Sequence, residues 1–267
     1  MARRALDRSG GQGDYVAQPL LSPMRPAELQ GEGTTTSAPR DSTVPSTQDL
    51  TYSWARAGIG FGFLAVVAYA IISAASVPPA VALVLACVFG PSLAVASTGL
   101  YRVLRLQART VSLDLGVASN VAAGVVVTLM LFAQLGLKQW FDSRSFNVPR
   151  AVSAADLETA KGIYLGLDVA WDLFLAVGTV LLAWNMRRHV RFGRVFAWSG
   201  LVIASALVVL NLVAFPEPPG DAGLIDLGPL VGLWYLAVAI RMLTSLPWIR
   251  DRSRGTIAGQ PSVRPST

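Results

Sequence analysis

The chain has 267 residues, of which 53% are hydrophobic and only 14% charged, whereas soluble domains carry about 25% charged residues. So few charges cannot cover a water-exposed surface. The net charge of +6 argues little for nucleic acid, because the basic residues recur between apolar blocks instead of gathering in one basic domain. The composition therefore predicts an all-α integral membrane protein whose main partner is the lipid bilayer.

Residues 1–50 differ from all that follows. They are rich in Gly, Ser, Thr, Pro and Gln and show neither helical nor strand periodicity. Such a segment buries too little apolar surface to offset the entropy of ordering, so we expect a disordered cytoplasmic tail. We do not expect Arg3 and Arg4 to begin a signal peptide, because no apolar h-region follows them. Residues 251–267 are predicted to form a second disordered cytoplasmic tail.

Residues 51–250 contain six apolar segments, each near the roughly 20 residues that cross the hydrocarbon of a bilayer. They lie at about 56–77, 79–104, 111–136, 162–185, 194–215 and 223–245. In lipid the backbone must satisfy its own hydrogen bonds, so segments of this length form helices despite their β-branched residues. The sequence predicts one domain of six transmembrane helices.

The charges between these segments alternate from one side to the other. Arginines on one side flank the first segment, join the second to the third and the fourth to the fifth, and follow the sixth: Arg40, Arg56, Arg102, Arg105, Arg109, Arg187, Arg188, Arg191, Arg194, Arg241, Arg250, Arg252 and Arg254. The opposite side carries only Lys138, Arg144, Arg150 and Lys161. By the positive-inside rule, both termini are expected in the cytoplasm. Arg187, Arg188, Arg191 and Arg194 are expected to bind anionic headgroups.

Small residues four apart allow helix backbones to approach closely. Such pairs occur in the first, fourth and sixth segments, as Gly58 with Gly62, Gly162 with Gly166, and Gly228 with Gly232. We therefore expect the tightest packing at these three helices.

A single cysteine, Cys87, and a single histidine, His189, restrict the chemistry of the chain. One cysteine forms no intrachain disulfide, and one histidine provides no bis-histidine haem. We expect neither a metal nor a cofactor. Cys87 is expected to be a small buried hydrophobe and His189 a surface residue.

Four acidic residues fall within the apolar segments, where charges are costly and usually functional. Asp168 and Asp172 share one face of the fourth helix, about 6 Å apart along its axis. Asp226 begins the sixth segment on the same, outer side. These three suggest an outward-facing acidic cavity that takes a small cation or proton. Asp114, near the inner end of the third segment, is more simply explained by structure.

A structural role is the alternative for Asp168 and Asp172, with Asn120 and Asn211 as natural hydrogen-bonding partners on neighbouring helices. An intramembrane dyad of Asp168 and Asp226 is conceivable. However, membrane aspartyl proteases carry Gly-x-Gly-Asp, and the sequence before Asp168 lacks the first glycine. We identify no catalytic residue, and enzymatic activity is the least favoured class.

Several runs in the second half of the chain together carry a resemblance to a known family: Leu165-Gly166-Leu167-Asp168, Trp171-Asp172, Arg187-Arg188-His189, Phe215-Pro216-Glu217-Pro218-Pro219, Asp226-Leu227-Gly228-Pro229 and Trp234-Tyr235. Over roughly residues 160–245 the chain resembles a family of uncharacterised bacterial six-helix membrane proteins. That resemblance implies a bacterial plasma membrane and no particular activity. Two functions remain open: a carrier or sensor of a small cation or proton, and a structural or regulatory subunit that engages a cytoplasmic or membrane protein partner.

Overall fold

The computed structural model describes residues 47–74, 77–144 and 154–258. Within these ranges the regular elements are helices, without a strand. They are α1 (Thr47–Ala74), α2 (Pro79–Arg105), α3 (Val111–Arg144), α4 (Ala154–Met186), α5 (Gly193–Ala214), α6 (Gly228–Thr244) and α7 (Leu246–Ala258). The all-helical fold predicted from the sequence is confirmed.

Helices α1 to α5 are each long and apolar enough to cross a membrane. Helix α6 has only 17 residues, fewer than the roughly 20 that a crossing needs. It qualifies together with the first part of α7 as a broken span, bent by 58° between the two helices. Among the described residues there are thus five candidate spans, or six if the bent pair counts as one.

The last predicted segment was placed too early. The sequence predicted a helix from residue 223, but α6 begins at Gly228. Pro218 and Pro219 precede it, and Gly223 has a φ of 76°, so this stretch forms turns rather than helix. A helix begins only where Pro229 occupies its first turn, a position in which proline loses no hydrogen bond.

The boundaries of both tails also differ from the prediction. Helix α1 begins at Thr47, inside the segment predicted as a disordered tail, and residues 1–46 lie outside the described part of the chain. Helix α7 continues to Ala258, so residues 251–258 are helical and not unstructured. Residues 259–267 lie outside the described ranges.

Close approach between neighbouring helices occurs at glycines that face each other across an interface. A Cβ placed on Gly58 of α1 would lie 2.7 Å from the Gly99 Cα of α2. A Cβ on Gly124 of α3 would lie 2.6 Å from the Gly90 carbonyl oxygen of α2. No larger side chain fits at these crossings without moving a backbone.

The prediction that pairs of glycines four residues apart mark the tightest helix packing is confirmed only in part. Gly58 is tightly packed, but a Cβ on Gly162 or Gly166 would meet no atom within 4 Å. The prediction for the fourth helix was therefore wrong, because this part of α4 has no helix close against its glycine face. The close contact of α4 is made instead by Gly178, where a Cβ would clash with Asn120 of α3.

Two buried hydrophobic clusters lie along the bundle. One contains Leu100, Leu182, Met186, Met242 and Ile249. The other contains Ala68, Phe89, Met130, Trp171 and Leu207. Cys87 is exposed on α2, contrary to the expectation that it is buried.

Candidate functional site

Asp168 and Asp172 of α4 and Asp226, two residues before α6, form what we call the acidic site. Asp172 is only 5% exposed, Asp168 is half-buried, and Asp226 is exposed. All three come within electrostatic range of one another. The helical spacing predicted that the first two lie together, and the predicted topology placed Asp226 on the same side. The structure brings Asp226 within electrostatic range of both.

Asp172 is held by one neighbouring helix. The Nδ2 of Asn211, a fully buried residue of α5, donates to Asp172 Oδ2 at 2.9 Å. The same amide group donates to the Leu207 carbonyl oxygen at 3.0 Å, and its Oδ1 is buried without a hydrogen-bond partner in the described structure. The predicted hydrogen bond between Asn211 and Asp172 is confirmed. The group that Asn211 contributes to the carboxylate is a neutral amide.

The electrostatic surroundings of Asp172 and Asp168 are acidic. Asp172 interacts with Asp168 and Asp226, and Asp168 also interacts with Asp221. Among the described residues no lysine or arginine makes an ion pair with Asp168 or Asp172. A proton or a bound cation would relieve the repulsion between these carboxylates.

Asp226 lies beside an aromatic hydroxyl from α1. Its Oδ1 accepts a hydrogen bond from the Gly228 backbone N–H at 2.8 Å. A Cβ placed on Gly228 would lie 3.1 Å from that oxygen and 3.4 Å from the Tyr69 hydroxyl. The absence of a side chain at Gly228 therefore leaves Asp226 and Tyr69 facing the same small space.

A narrow cavity of about 50 Å³ begins at this place and runs between α1, α2, α4 and α6. Tyr69, Trp171 and Gly228 line it near the acidic site, and Gly58 and Met242 line its far end. Gly58 and Tyr69 are eleven positions apart on α1, which corresponds to about 16 Å along the helix axis. The cavity is thus slender and largely apolar, with carboxylates near one end.

A second cluster of polar side chains joins four helices by hydrogen bonds deeper in the bundle. Asn120 Nδ2 donates to Ser97 Oγ at 3.2 Å and to the Tyr235 hydroxyl at 2.6 Å. The Tyr235 hydroxyl in turn contacts Thr179 Oγ1 at 2.9 Å, while Thr179 donates to the Leu175 carbonyl at 2.7 Å. Tyr235 therefore donates to Thr179. We call Ser97, Asn120, Thr179 and Tyr235 the polar network.

Asn120 does not bond to the intramembrane acids, so that prediction was wrong. Asn120 bonds to the polar network. The part played by Tyr235 was missed, although a tyrosine inside an apolar segment is a signal that its hydroxyl needs a partner. Because the partners lie on three other helices, spacing along one helix did not reveal them.

Asp114 has the structural role expected from its position. The Tyr101 hydroxyl donates to Asp114 Oδ1 at 2.7 Å, and Arg105 donates to the same hydroxyl at 3.2 Å. This chain of contacts joins α2 to the first turn of α3. Asp114 is separate from the acidic site and provides a useful control for it.

The predicted headgroup-binding residues lie in or beside the loop between α4 and α5. Arg188 and Arg194 are exposed, and Arg187 and Arg191 are half-buried. Gln107 Nε2 donates to the Arg188 carbonyl at 2.6 Å. Arg241 Nε donates to the Arg191 carbonyl at 2.6 Å. The loops that carry most of the arginines therefore meet at one end of the bundle, which we call the arginine-rich end.

His189, in the same loop, is 3% exposed and not the surface residue that its basic neighbours suggested. Its ring packs against Phe192 and Trp248, with centroids 5.1 and 5.5 Å away. The Arg191 backbone N–H donates to Nδ1 at 3.2 Å. Burial lowers the pKa of His189 to about 4, and the nearby Val103 carbonyl opposes that shift only in part. His189 is therefore a neutral core residue that joins the loop to α7.

Within the described residues, no three His, Cys, Asp or Glu side chains come together as a metal-binding group. A scan of protein-family models, a search of curated proteins and a search of solved structures each gave no match. The resemblance to a bacterial six-helix family therefore stays a prediction.

Proposed function

We propose that this membrane protein carries or senses a small cation or proton through the acidic site. The observation that supports the proposal best is Asp172, a carboxylate only 5% exposed within an apolar helix. Its partner is a neutral amide, and two further carboxylates lie within electrostatic range. Such a group is costly in a bilayer, and its cost is repaid where it binds a positive charge.

The direction of access rests on the distribution of basic residues. The loops that carry most of the arginines meet at the arginine-rich end. Asp226 precedes α6 at the end of that helix opposite to Arg241, and Asp168 and Asp172 lie near the middle of α4. By the positive-inside rule, the arginine-rich end and both termini are cytoplasmic, and the acidic site faces outward from a bacterial plasma membrane. This orientation assumes that α6 and α7 complete a sixth crossing.

A cysteine-labelling experiment tests the orientation. Cys87 is the only cysteine, so Cys87→Ser gives a background without one. In intact cells, a membrane-impermeant maleimide should label Asp221→Cys and not Arg194→Cys. Labelling of Arg194→Cys alone would reverse the orientation.

The function itself is tested with purified protein in sealed vesicles. Ion gradients are imposed, and the internal pH and the cation content are followed with dyes. Asp172→Asn should reduce the flux of the transported cation or proton at least about tenfold, because the amide keeps the size of the side chain but removes the charge. Asp114→Asn, at the other end of the bundle, should leave the flux unchanged. Equal flux in wild type and Asp172→Asn would contradict a role for the acidic site in carriage.

Sensing requires binding without flux, so the same two variants are compared by calorimetric titration with Na⁺, K⁺ and protons. Heat that disappears in Asp172→Asn and persists in Asp114→Asn would favour a sensor.

The alternative function, a subunit that engages a cytoplasmic partner, draws on the exposed Arg188 and Arg194. It predicts that a co-purifying protein is lost when residues 1–46 are deleted and retained in Asp172→Asn.

A further inference from the structure

We infer that the cation taken by the acidic site is a small organic ammonium ion, whose charged head lies among the carboxylates and whose short alkyl part enters the adjoining cavity. The inference rests on the proposed function and narrows it to one chemical class. A bare metal ion or a proton would make no use of the cavity.

The first support is a group of three aromatic rings at the cavity wall. Tyr69 of α1, Phe89 of α2 and Trp171 of α4 all line the cavity. Their ring centroids lie 5.8 Å apart for Tyr69 and Phe89, 6.1 Å for Phe89 and Trp171, and 6.5 Å for Tyr69 and Trp171. Aromatic rings attract alkylammonium groups that lie within about 6 Å of a ring centroid.

The second support is the position of the rings relative to the charges. Trp171 immediately precedes Asp172 in the chain, and Tyr69 interacts electrostatically with Asp226, Asp172 and Asp168. The space beside Gly228 is bordered by both Asp226 and the Tyr69 hydroxyl. A cation at this end of the cavity therefore lies beside Asp226 and aromatic surface, within electrostatic range of Asp172 and Asp168. This combination recognises an ammonium ion with attached carbon.

The third support is an unpartnered polar atom. Trp171 is 8% exposed, and its Nε1 is buried with no hydrogen-bond partner among the described residues. A buried donor of this kind is costly unless something accepts from it. Because Trp171 also lines the cavity, a water molecule or an oxygen atom that enters with the ligand can accept this hydrogen bond.

The size of the cavity selects among ammonium ions. Its volume of about 50 Å³ admits about three to five water-sized groups, since one such group needs about 10–15 Å³. Its length along α1 requires that these groups form a thin chain. The site thus suits an ion such as n-butylammonium and excludes planar polycyclic cations, which are too wide.

The test measures binding of n-butylammonium to the full chain in lipid nanodiscs by calorimetry, with Na⁺, K⁺ and n-butanol as comparison ligands. We expect n-butylammonium to bind to the wild type at least about tenfold more tightly than either metal ion or the alcohol. Asp172→Asn should weaken its binding at least about tenfold. Trp171→Leu should weaken it by about tenfold and leave any Na⁺, K⁺ or proton response unchanged.

Two further variants separate loss of binding from loss of folding. Trp171→Phe keeps an aromatic face and should recover most of the affinity that Trp171→Leu loses. Trp198→Leu changes a tryptophan of α5 that is 56% exposed and away from the cavity, so it should bind like the wild type. If Trp171→Leu fails to fold, the comparison of n-butylammonium with n-butanol in wild type and Trp171→Phe still decides the question.

The outcomes distinguish this inference from the proposed function. A metal-ion or proton response that depends on Asp172, without binding of n-butylammonium, would overturn the organic-cation inference and leave the proposed function standing. Equal binding of n-butylammonium to wild type, Asp172→Asn and Trp171→Leu would also overturn it, because the ion would then lie elsewhere. The absence of every response would overturn both.

Discussion

Two stretches of α4 are packed differently. The first, residues 166–172, carries Gly166 close to Asp168, and the second, residues 178–186, carries Gly178 next to Thr179. A Cβ on Gly166 would meet nothing within 4 Å, whereas one on Gly178 would clash with Asn120 of α3. Thr179 is tied to another helix through Tyr235, while Asp168 has carboxylates for its charged neighbours.

Polar residues in one helix can therefore have different roles, one in holding helices together and one in binding. In the second stretch, Thr179 belongs to the polar network, whose neutral groups bond to one another and hold four helices together. In the first stretch, the carboxylates repel one another, and Asp172 has a neutral amide as its partner. We therefore expect substitutions in the second stretch of α4 and just beyond it to change stability, and those in the first stretch to change binding.

The largest effect is expected at His189, in the loop that follows the second stretch of α4. In the unfolded chain its imidazole gains a proton near pH 6.5, but in the folded chain only near pH 4. Between these values the unfolded state binds more protons, so the stability contributed by the neutral ring is complete above about pH 6.5 and is lost as the pH falls towards 4. The loss should be about 2–3 kcal/mol.

Unfolding in detergent at pH 7, 5.5 and 4.5 measures this effect. His189→Phe should have a flatter dependence on pH than the wild type. The carboxylates are common to both proteins, so the difference between the two curves isolates the imidazole. Parallel curves would show that His189 takes up its proton at the same pH in the folded and unfolded chains, and would contradict the lowered pKa.

The next effect compares the two glycines directly. Gly178→Val should lower the free energy of unfolding by about 1–3 kcal/mol, because its side chain would overlap Asn120 and press on the Gly116 carbonyl, 3.0 Å from the Cβ position. Gly166→Val, the matched control on the same helix, should stay within about 0.5 kcal/mol of the wild type. Equal losses in thermal unfolding would mean that the first stretch of α4 is as closely packed as the second.

A smaller effect is expected when the polar network loses one hydroxyl. Tyr235→Phe removes the group shared by Asn120 and Thr179 and should cost about 0.6–1.7 kcal/mol, the range for hydrogen bonds between membrane helices. Ser199→Ala is the control, because its hydroxyl bonds only to carbonyls of its own helix. A Tyr235→Phe protein as stable as Ser199→Ala would show that the network contributes no net stability.

The smallest effect on stability is expected at Asp172. Asp172→Asn can still accept a hydrogen bond from Asn211 and removes a charge from an acidic neighbourhood, so its stability should equal that of the wild type within about 0.5 kcal/mol or exceed it. Thermal unfolding of the two proteins side by side measures this. A loss as large as that in Tyr235→Phe would instead place Asp172 among the groups that hold the bundle together.

The features that sequence reasoning placed correctly are those that depend on one helix alone. Asp168 and Asp172 share a face because of the helical repeat, and the length and hydropathy of α1 to α5 require helices in lipid. The start of α6 was misplaced because hydropathy does not register the turns around Gly223. His189 was misjudged because its neighbours in sequence are basic, whereas its neighbours in space are aromatic.

The sequence by itself therefore determined an all-helical chain with helices long and apolar enough to span a membrane, and the acidic face of α4, because composition and helical periodicity are local properties of the chain. Only the tertiary structure decided which glycines pack, which helix supplies the partner of Asp172, and that Tyr69, Phe89 and Trp171 surround one cavity. These depend on how the helices cross, and crossings are set by the fit of side chains from different helices, which spacing along a single helix does not contain.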